Sequence, residues 1–218
     1  MLRWPFARRR NTVAESVDPQ AAYAMWAPTY PPRPHNQLME IEQQTILSLL
    51  PDLTGMTVLD AGCGTGRYLH QLRALGAKPI GLDLSAAMLA RARDVTPRIA
   101  RADICALPID SMSVDVILCG LALGDVPHLE LALAEMGRVL RPGGCVVYSV
   151  VHPAGADAGW SRTFDAGGRQ VAINGYWHSA DEHRQACRAA GLRVTAWQEP
   201  LLREAPDLPA VLVVRAAR

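Results

Sequence analysis

The 218-residue chain is predicted to fold as an α/β protein: one doubly wound domain with a mostly parallel sheet and helices on both faces. Three observations predict it. Strand-length apolar runs alternate with helix-like segments from residue 56 to residue 151. The first of these runs, ending Val58-Leu59-Asp60, passes directly into Gly62, Gly64 and Gly66, three glycines at alternate positions. The next two strand candidates also finish at acids, Asp83 and Asp103, and ligands in such folds sit at the carboxyl ends of the strands.

The elements follow in order. Residues 18–50 read as helices with a proline-rich break. Tyr23, Trp26 and Tyr30 have helical spacing, and Pro31, Pro32 and Pro34 end that segment. Residues 36–50 carry an amphipathic pattern through Leu38, Met39, Ile41, Ile46, Leu47, Leu49 and Leu50. Strands are predicted over 56–60, 78–83, 98–102, 113–119 and 143–151, with helices over 65–75, 85–93 and 128–140. Ser85 is the expected N-cap of the 85–93 helix. The parallel order requires right-handed crossovers. Beyond it, residues 179–190 read as a helix with Gly191 at its end. Residues 192–198 and 209–215 read as an antiparallel pair at the sheet edge.

Two stretches stand outside that alternation. Residues 1–17 form a basic, flexible tail with Arg3, Arg8, Arg9 and Arg10 and no following apolar segment of the kind a secretory signal has. Residues 152–179, with His152, Trp160, Tyr176, Trp177 and His178, form a long irregular insertion. Such insertions are usually functional, and this one reads as a lid or substrate-recognition segment. The competing reading is a β-hairpin around Arg169-Gln170-Val171-Ala172-Ile173.

Composition narrows the function classes. Half the residues are hydrophobic and a fifth are charged, an ordinary globular balance. A net charge of +1 gives no electrostatic case for nucleic acid. The longest apolar stretch, residues 116–124, is too short to span a bilayer. The five cysteines lack C-x-x-C spacing and metal-ligand partners, so they are expected to be reduced thiols of a cytoplasmic protein with no metal site. The expected partner is a small molecule.

The glycine turn admits two ligand classes. A dinucleotide site uses G-x-G-x-x-G and the helix N-terminus to hold a pyrophosphate. Here the spacing is G-x-G-x-G, with Asp60 two residues before the first glycine. That carboxylate repels a pyrophosphate and suits a ligand with an ammonium group. The acid Asp83 at the second strand tip can accept both ribose hydroxyls of either ligand.

The D-x-G-x-G-x-G stretch Asp60-Ala61-Gly62-Cys63-Gly64-Thr65-Gly66 resembles motif I of the class I S-adenosylmethionine-dependent methyltransferases. Three further segments, in the same order along the chain, resemble the same family. They are Asp83-Leu84-Ser85-Ala86-Ala87-Met88, Arg101-Ala102-Asp103-Ile104-Cys105-Ala106-Leu107-Pro108, and Glu135 through Gly144 with its E-x-x-R-V-L-R-P-G-G pattern. Ala102 departs from the family's usual glycine. Tyr23-Ala24-Met25-Trp26-Ala27-Pro28-Thr29-Tyr30 resembles a stretch that, in many small-molecule members, folds over the cofactor. The resemblance implies a seven-stranded sheet whose C-terminal strand is reversed, an N-terminal helical cap over 18–50, and methyl transfer from S-adenosylmethionine to a small acceptor.

It also implies the site. Gly62, Cys63, Gly64 and Gly66 would approach the methionine end, with Asp60 orienting the ammonium. Tyr23 or Tyr30 would reach the methionine carboxylate, Asp83 the ribose, and Asp103 the adenine amino group. Leu84 and Ile104 would pack on the ring, Met88 of the acid-x-S-x-x-M pattern would belong to the same cofactor site, and Gly120 or Leu121 would offer a backbone carbonyl. Arg67 would either pair with a ligand carboxylate or lie exposed. The general-base candidates are His152 and His178, ranked by position alone. After the fourth strand this chain has Cys119-Gly120-Leu121-Ala122 in place of [N/D]-P-P-[Y/F], which disfavours the base-amino and glutamine acceptors of the superfamily. The paired-glutamate loop of the protein arginine methylators is missing too. What remains resembles the methylators of the quinone-biosynthesis and malonyl-carrier type. Two rivals stand beside this reading: a nicotinamide-dependent oxidoreductase on a related sheet, and a non-catalytic module that binds S-adenosylmethionine.

Overall fold

A computed structural model describes residues 15–202 and 205–218, with residue 1–14 of the expected basic tail outside them. The remaining three tail residues are not loose: β1 (Glu15–Val17) pairs with a strand of the lid. Helix α1 (Pro19–Trp26) is capped by Asp18, whose carboxylate accepts the Ala21 N–H. It stops before Pro28, which has no N–H to continue the ladder. Tyr30 therefore lies beyond the helix and not on its face, a correction to the spacing argument. Helix α2 (Gln37–Ser48) starts at Asn36, whose side chain accepts the Met39 N–H.

The main body then alternates as expected: β2 (Thr57–Ala61), α3 (Arg67–Ala74), β3 (Lys78–Asp83), α4 (Ala86–Ala92), β4 (Ile99–Arg101), β5 (Val114–Gly120), α5 (Leu129–Val139) and β6 (Leu140–Val151). The lid hairpin follows, β7 (Thr163–Ala166) and β8 (Arg169–Ile173), and then α6 (Ala180–Ala189) and β9 (Arg193–Gln198). A short pair, β10 (Leu201–Leu202) with β11 (Ala205–Pro209), precedes β12 (Val211–Ala217).

Seven strands form one sheet in the order β4-β3-β2-β5-β6-β12-β9. The first five are parallel, and β12 is antiparallel to both of its neighbours. The central strands β2, β5 and β12 are mostly apolar because both of their faces are covered, whereas the edge strands β4 and β9 are partly exposed. Along β5, Ile117 and Cys119 face the α5 and α6 side, whereas Val116 and Leu118 face the α2 and α3 side. In β12, Leu212 and Val214 alternate with Val211 and Val213 in the same way.

The expected cap over 18–50 divides. Helix α2 packs on the sheet through Leu38, Met39 and Ile46. Helix α1 instead joins the lid. The lid is not irregular but the hairpin alternative: β7 and β8 turn at Gly167-Gly168, both with positive φ (66° and 86°), and β1 adds a third strand in parallel with β8. Ala22, Phe164, Val171 and Ile173 form a small separate core there, and Trp26 stacks on Phe164 with centroids 4.8 Å apart.

Candidate functional site

The strand order reverses direction between β2 and β5, so a crevice opens there at the carboxyl edge of the sheet. The glycine turn after β2 forms one wall. Gly62, Gly64 and Gly66 all have positive φ (79°, 55° and 88°), a backbone that side chains with a Cβ avoid. A Cβ on Gly62 would lie 2.5 Å from that of Ala122, so this glycine lets the loops after β2 and β5 touch. A Cβ on Gly64 would meet nothing within 4 Å, so this glycine keeps open space beside the turn.

Four of the turn's N–H groups are already engaged. Those of Gly62 and Cys63 donate to the Leu82 carbonyl at 2.7 and 2.9 Å. The Gly64 N–H donates to Asp83 Oδ2 at 2.7 Å, and the Gly66 N–H to the Cys63 carbonyl at 2.9 Å. The turn supplies clearance more than donors, because its tight αL geometry folds the Gly62, Cys63 and Gly64 N–H groups back onto β3. A pyrophosphate finds little here.

The acids behave differently from one another. Asp60 is buried at 1 % exposure, and neither carboxylate oxygen has a hydrogen-bond partner. Burial, opposed by the Arg67 charge and aided by Asp83 and Glu42, pushes its pKa up to about 8. An unpartnered ionised carboxylate is too costly in such a place, so the protein alone favours the protonated acid. Thr65 Oγ1, also buried, lacks a partner as well. Asp83 sits at the tip of β3, one oxygen accepting Gly64 N–H and the other Ser85 N–H at 2.8 Å. Its pKa is raised by burial and restrained by those two bonds. Each oxygen retains a second lone pair for a hydroxyl. Asp103 lies exposed on the turn after β4, its side chain accepting the Cys105 N–H.

Leu84 is 42 % exposed beside Asp83, its carbonyl held by Arg101 Nε at 2.9 Å. Ile104 and Met88 are buried, and Ser85 caps α4 by accepting the Met88 N–H. Cys63 is buried too, and its thiol is held well above the ordinary range by burial and the two neighbouring acids. At the opposite wall, Gly120 ends β5 where a Cβ would strike Tyr68 and come within 3.1 Å of Glu42 Oε1. Leu121 follows with a positive φ of 60°, its N–H donating to Ser149 Oγ at 2.9 Å. A leucine held in the left-handed region is strained by about 1–3 kcal/mol, which the surrounding structure must offset.

The unit of α1, β7 and β8 is joined to the loop after β5 through Asp125. Tyr23 donates to Asp125 Oδ2 at 3.0 Å, and Arg162 from the lid pairs with both Asp125 oxygens. Burial raises the Tyr23 hydroxyl well above its usual range, with Asp125 adding to it. Tyr30 is likewise raised by burial, and its ring lies edge-on to Trp26 at 4.7 Å.

The two histidines occupy different situations. Both nitrogens of His152 are engaged: Nδ1 accepts the Ala154 N–H at 3.1 Å, and Nε2 lies 3.1 Å from Glu199 Oε1. The ring caps a turn and braces the end of β9. His178 Nε2 donates to the Val126 carbonyl at 2.8 Å, which leaves Nδ1 as the acceptor.

Sequence reasoning passed over Glu42, Asp125 and Arg162. Glu42 had a signal: Leu38, Glu42 and Ile46 lie four apart on one apolar stripe, where a carboxylate is out of place. Asp125 and Arg162 had none, being joined only when the lid folds back.

Comparison with known proteins agrees with this geometry. Residues 59–148 match the model of a family described as a methyltransferase domain. The chain is 38 % identical over 117 residues to a malonyl-[acyl-carrier protein] O-methyltransferase of Pectobacterium atrosepticum, covering 53 % of this chain and 46 % of that protein. It is 42 % identical over 106 residues to the protein of the same description from Yersinia pestis, covering 48 % and 40 %. The chain thus spans about half the length of the curated relatives it matches. Among solved structures, an S-adenosylmethionine dependent methyltransferase from Mesorhizobium loti superposes with a TM-score of 0.68 at 25 % identity, over 81 % of this chain and 97 % of that one. The matched segment holds the glycine turn and the three strand-tip acids, and the chain shares the fold of solved S-adenosylmethionine-dependent methyltransferases.

Proposed function

We propose that the protein binds S-adenosylmethionine in the crevice between β2 and β5 and transfers its methyl group to a small-molecule acceptor, releasing S-adenosylhomocysteine. One observation carries the reading: a fully buried carboxylate, Asp60, stands without a partner at the strand-switch point, beside a second strand-tip acid with free lone pairs. A ligand with an ammonium group and a ribose satisfies both. The engaged N–H groups of the glycine turn weigh against the dinucleotide alternative.

When bound, the cofactor supplies an electrophilic methyl on its sulfonium. The chain's own task is then orientation and exclusion of water, and alignment alone contributes several kcal/mol. In this reading Asp60 orients the ammonium and Asp83 accepts the ribose hydroxyls. Asp103 faces the adenine amino group, and Leu84 and Ile104 lie against the ring. Gly62, Gly64 and Gly66 keep the backbone clear, with Cys63 packed behind it, and Met88 supports Leu84 from α4. Gly120 and Leu121 border the reacting end, and α1 with Tyr23 and Tyr30 covers it. His178, with an acceptor nitrogen available, is the better base candidate. His152 serves to hold the lid's first turn. Five free thiols support a reducing, cytoplasmic setting. Because the curated relatives are described as malonyl-[acyl-carrier protein] O-methyltransferases, a malonyl-type carboxylate belongs among the acceptors tried.

Calorimetric titration with S-adenosylmethionine, S-adenosylhomocysteine and NAD tests the cofactor. Binding of NAD alone overturns the proposal. Transfer of a labelled methyl to a panel of small acids, phenols and thioesters tests the activity, and binding without transfer to any acceptor favours the non-catalytic module. Asp83→Ala is expected to weaken S-adenosylmethionine at least tenfold, about 1.4 kcal/mol; unchanged affinity removes the ribose assignment.

A further inference from the structure

Glu135 and Arg138 stand one turn apart at the end of α5, in the E-x-x-R segment that the cofactor site described above does not involve. Every N–H donor of the Arg138 guanidinium is engaged. Nε donates to Glu135 Oε1 at 2.6 Å and Nη2 to Glu135 Oε2 at 2.8 Å, a two-bond fork. Nη2 also donates to the Leu107 carbonyl at 2.9 Å, and Nη1 to the Ile109 carbonyl at 2.8 Å and Ser111 Oγ at 3.2 Å. Glu135 Oε2 in turn accepts the Leu107 N–H at 2.7 Å. The ion pair thus holds both backbone groups of Leu107, as a neighbouring strand would. No strand could do so, because β4 is the outermost strand of the sheet and ends at Arg101. On the other side of the segment, the Ala102 N–H donates to the Asp83 carbonyl at 3.1 Å. Between these two anchors hangs the turn Asp103-Ile104-Cys105-Ala106, closed by the Ala106 N–H on the Asp103 carbonyl at 3.1 Å. Its Ile104 reaches back to the crevice, where a Cβ on Gly62 would stand 3.5 Å from Cδ1.

We propose that Glu135 and Arg138 are positioning residues that set the protein's selectivity for the nucleobase, acting through Leu107 on the Asp103 turn; this rests on the S-adenosylmethionine reading above. Asp103 Oδ1 already accepts the Cys105 N–H at 2.8 Å, so Oδ2 is the oxygen left for a ligand. An ionised carboxylate accepts and cannot donate, so it rewards a base edge that carries an N–H donor. That bond weakens steeply with angle, whereas apolar contact with Leu84 and Ile104 depends little on direction. A turn released at its downstream end therefore loses the selective part of binding before the unselective part. The pair is also placed to act without carrying the core. Glu135 and Arg138 are 21 % and 35 % exposed, while Leu107 beneath them packs among apolar neighbours such as Leu133 and Met136.

The test is the ratio of two affinities of the full chain, for S-adenosylhomocysteine and for its analogue with hydrogen in place of the 6-amino group. The unaltered protein is expected to favour the first by about tenfold or more. Arg138→Lys keeps the charge but cannot form the fork, and is expected to cut the ratio to about threefold or less, with the analogue's own affinity moved by less than about twofold. Glu135→Gln still offers an oxygen to the Leu107 N–H and is expected to give an intermediate ratio. On an Asp103→Ala background, Arg138→Lys should change neither affinity further, because the residue it acts through is gone. A ratio that stays at the unaltered value in the folded variants, however far their melting midpoints fall, shows a purely structural role and overturns the proposal. Should Arg138→Lys not fold, Glu135→Gln decides by the same ratio. Equal binding of both probes by the unaltered protein also overturns it, since there is then no selectivity to set. If the unaltered protein binds neither probe, the S-adenosylmethionine reading fails and this proposal falls with it.

Discussion

At the residue scale, Asp60 dominates. Its pKa of about 8 in the protein alone, against an ordinary 3.8, has two consequences of known sign. The folded chain holds a proton between these values that the unfolded chain has lost. The stabilisation this provides is complete below about pH 4 and disappears as pH rises through about 8, at up to about 1.4 kcal/mol per unit. Thermal midpoints of the empty protein should therefore fall across that window, and Asp60→Asn should flatten the fall. Ligand binding runs the other way, because the ammonium favours the ionised acid. Affinity should rise with pH up to about 8, with a proton released on binding, measurable by calorimetry in buffers of different ionisation enthalpy; a flat profile would show that Asp60 does not meet the ligand's charge. The glycines provide a second residue-scale contrast. Gly62→Ala places a methyl against Ala122 in a left-handed backbone and should cost about 2 kcal/mol or more in stability. Gly64→Ala meets no neighbour and should cost about 1 kcal/mol, yet weaken the cofactor, since its methyl enters the ligand's space. Equal stability losses with equal affinities would contradict that division.

At the element scale, local chemistry explains where helices begin. Asp18, Asn36, Ser85 and Ser179 each accept an N–H of the first turn that would otherwise be orphaned. Ser179 and Glu182 form a full capping box on α6, and Gly191 closes the other end with a φ of 70°. Ser179→Ala should lower stability by about 1 kcal/mol, a shift of roughly 2–4 °C in the melting midpoint for a chain of this size. Helix α3 has no side-chain cap at all, and begins on Gly66 with its φ of 88°. Helix α5 likewise starts, at His128, without a side-chain cap; at α3 the uncapped start is the glycine turn itself.

At the scale of the whole molecule, the chain forms a body and a cover. The cover is β1, α1, β7 and β8 with their own small core. It is tied to the body by few polar contacts: Arg162 and Tyr23 to Asp125, the Tyr176 N–H to the Gly124 carbonyl at 2.7 Å, and Arg91 of α4 to the Ala27 and Tyr30 carbonyls at 2.6 Å. Arg162→Met leaves Asp125 without its cation, at up to about 3 kcal/mol for a pair this enclosed. The loss should fall on the cover alone. Hydrogen exchange should show α1 and β7–β8 losing protection while β2 and β5 keep theirs; uniform loss would show a single cooperative unit.

Much of the fold could be read along the chain because its causes are local or periodic. Alternating strand and helix patterns fixed the parallel order, Ser85 and Gly191 marked helix ends, and the acids at strand tips announced the ligand edge. Those features depend on spacing along one segment, which a linear reading preserves. The tertiary structure alone decided the rest. It joined Glu42 to Arg67 and Asp125 to Arg162, pairs separated by 25 and 37 residues. It turned the irregular segment into a hairpin completed by β1, and it directed the Gly62, Cys63 and Gly64 N–H groups onto β3. Each depends on which distant segments come to share one low-dielectric space, where an unpaired charge is too costly to persist, and no local pattern encodes that meeting.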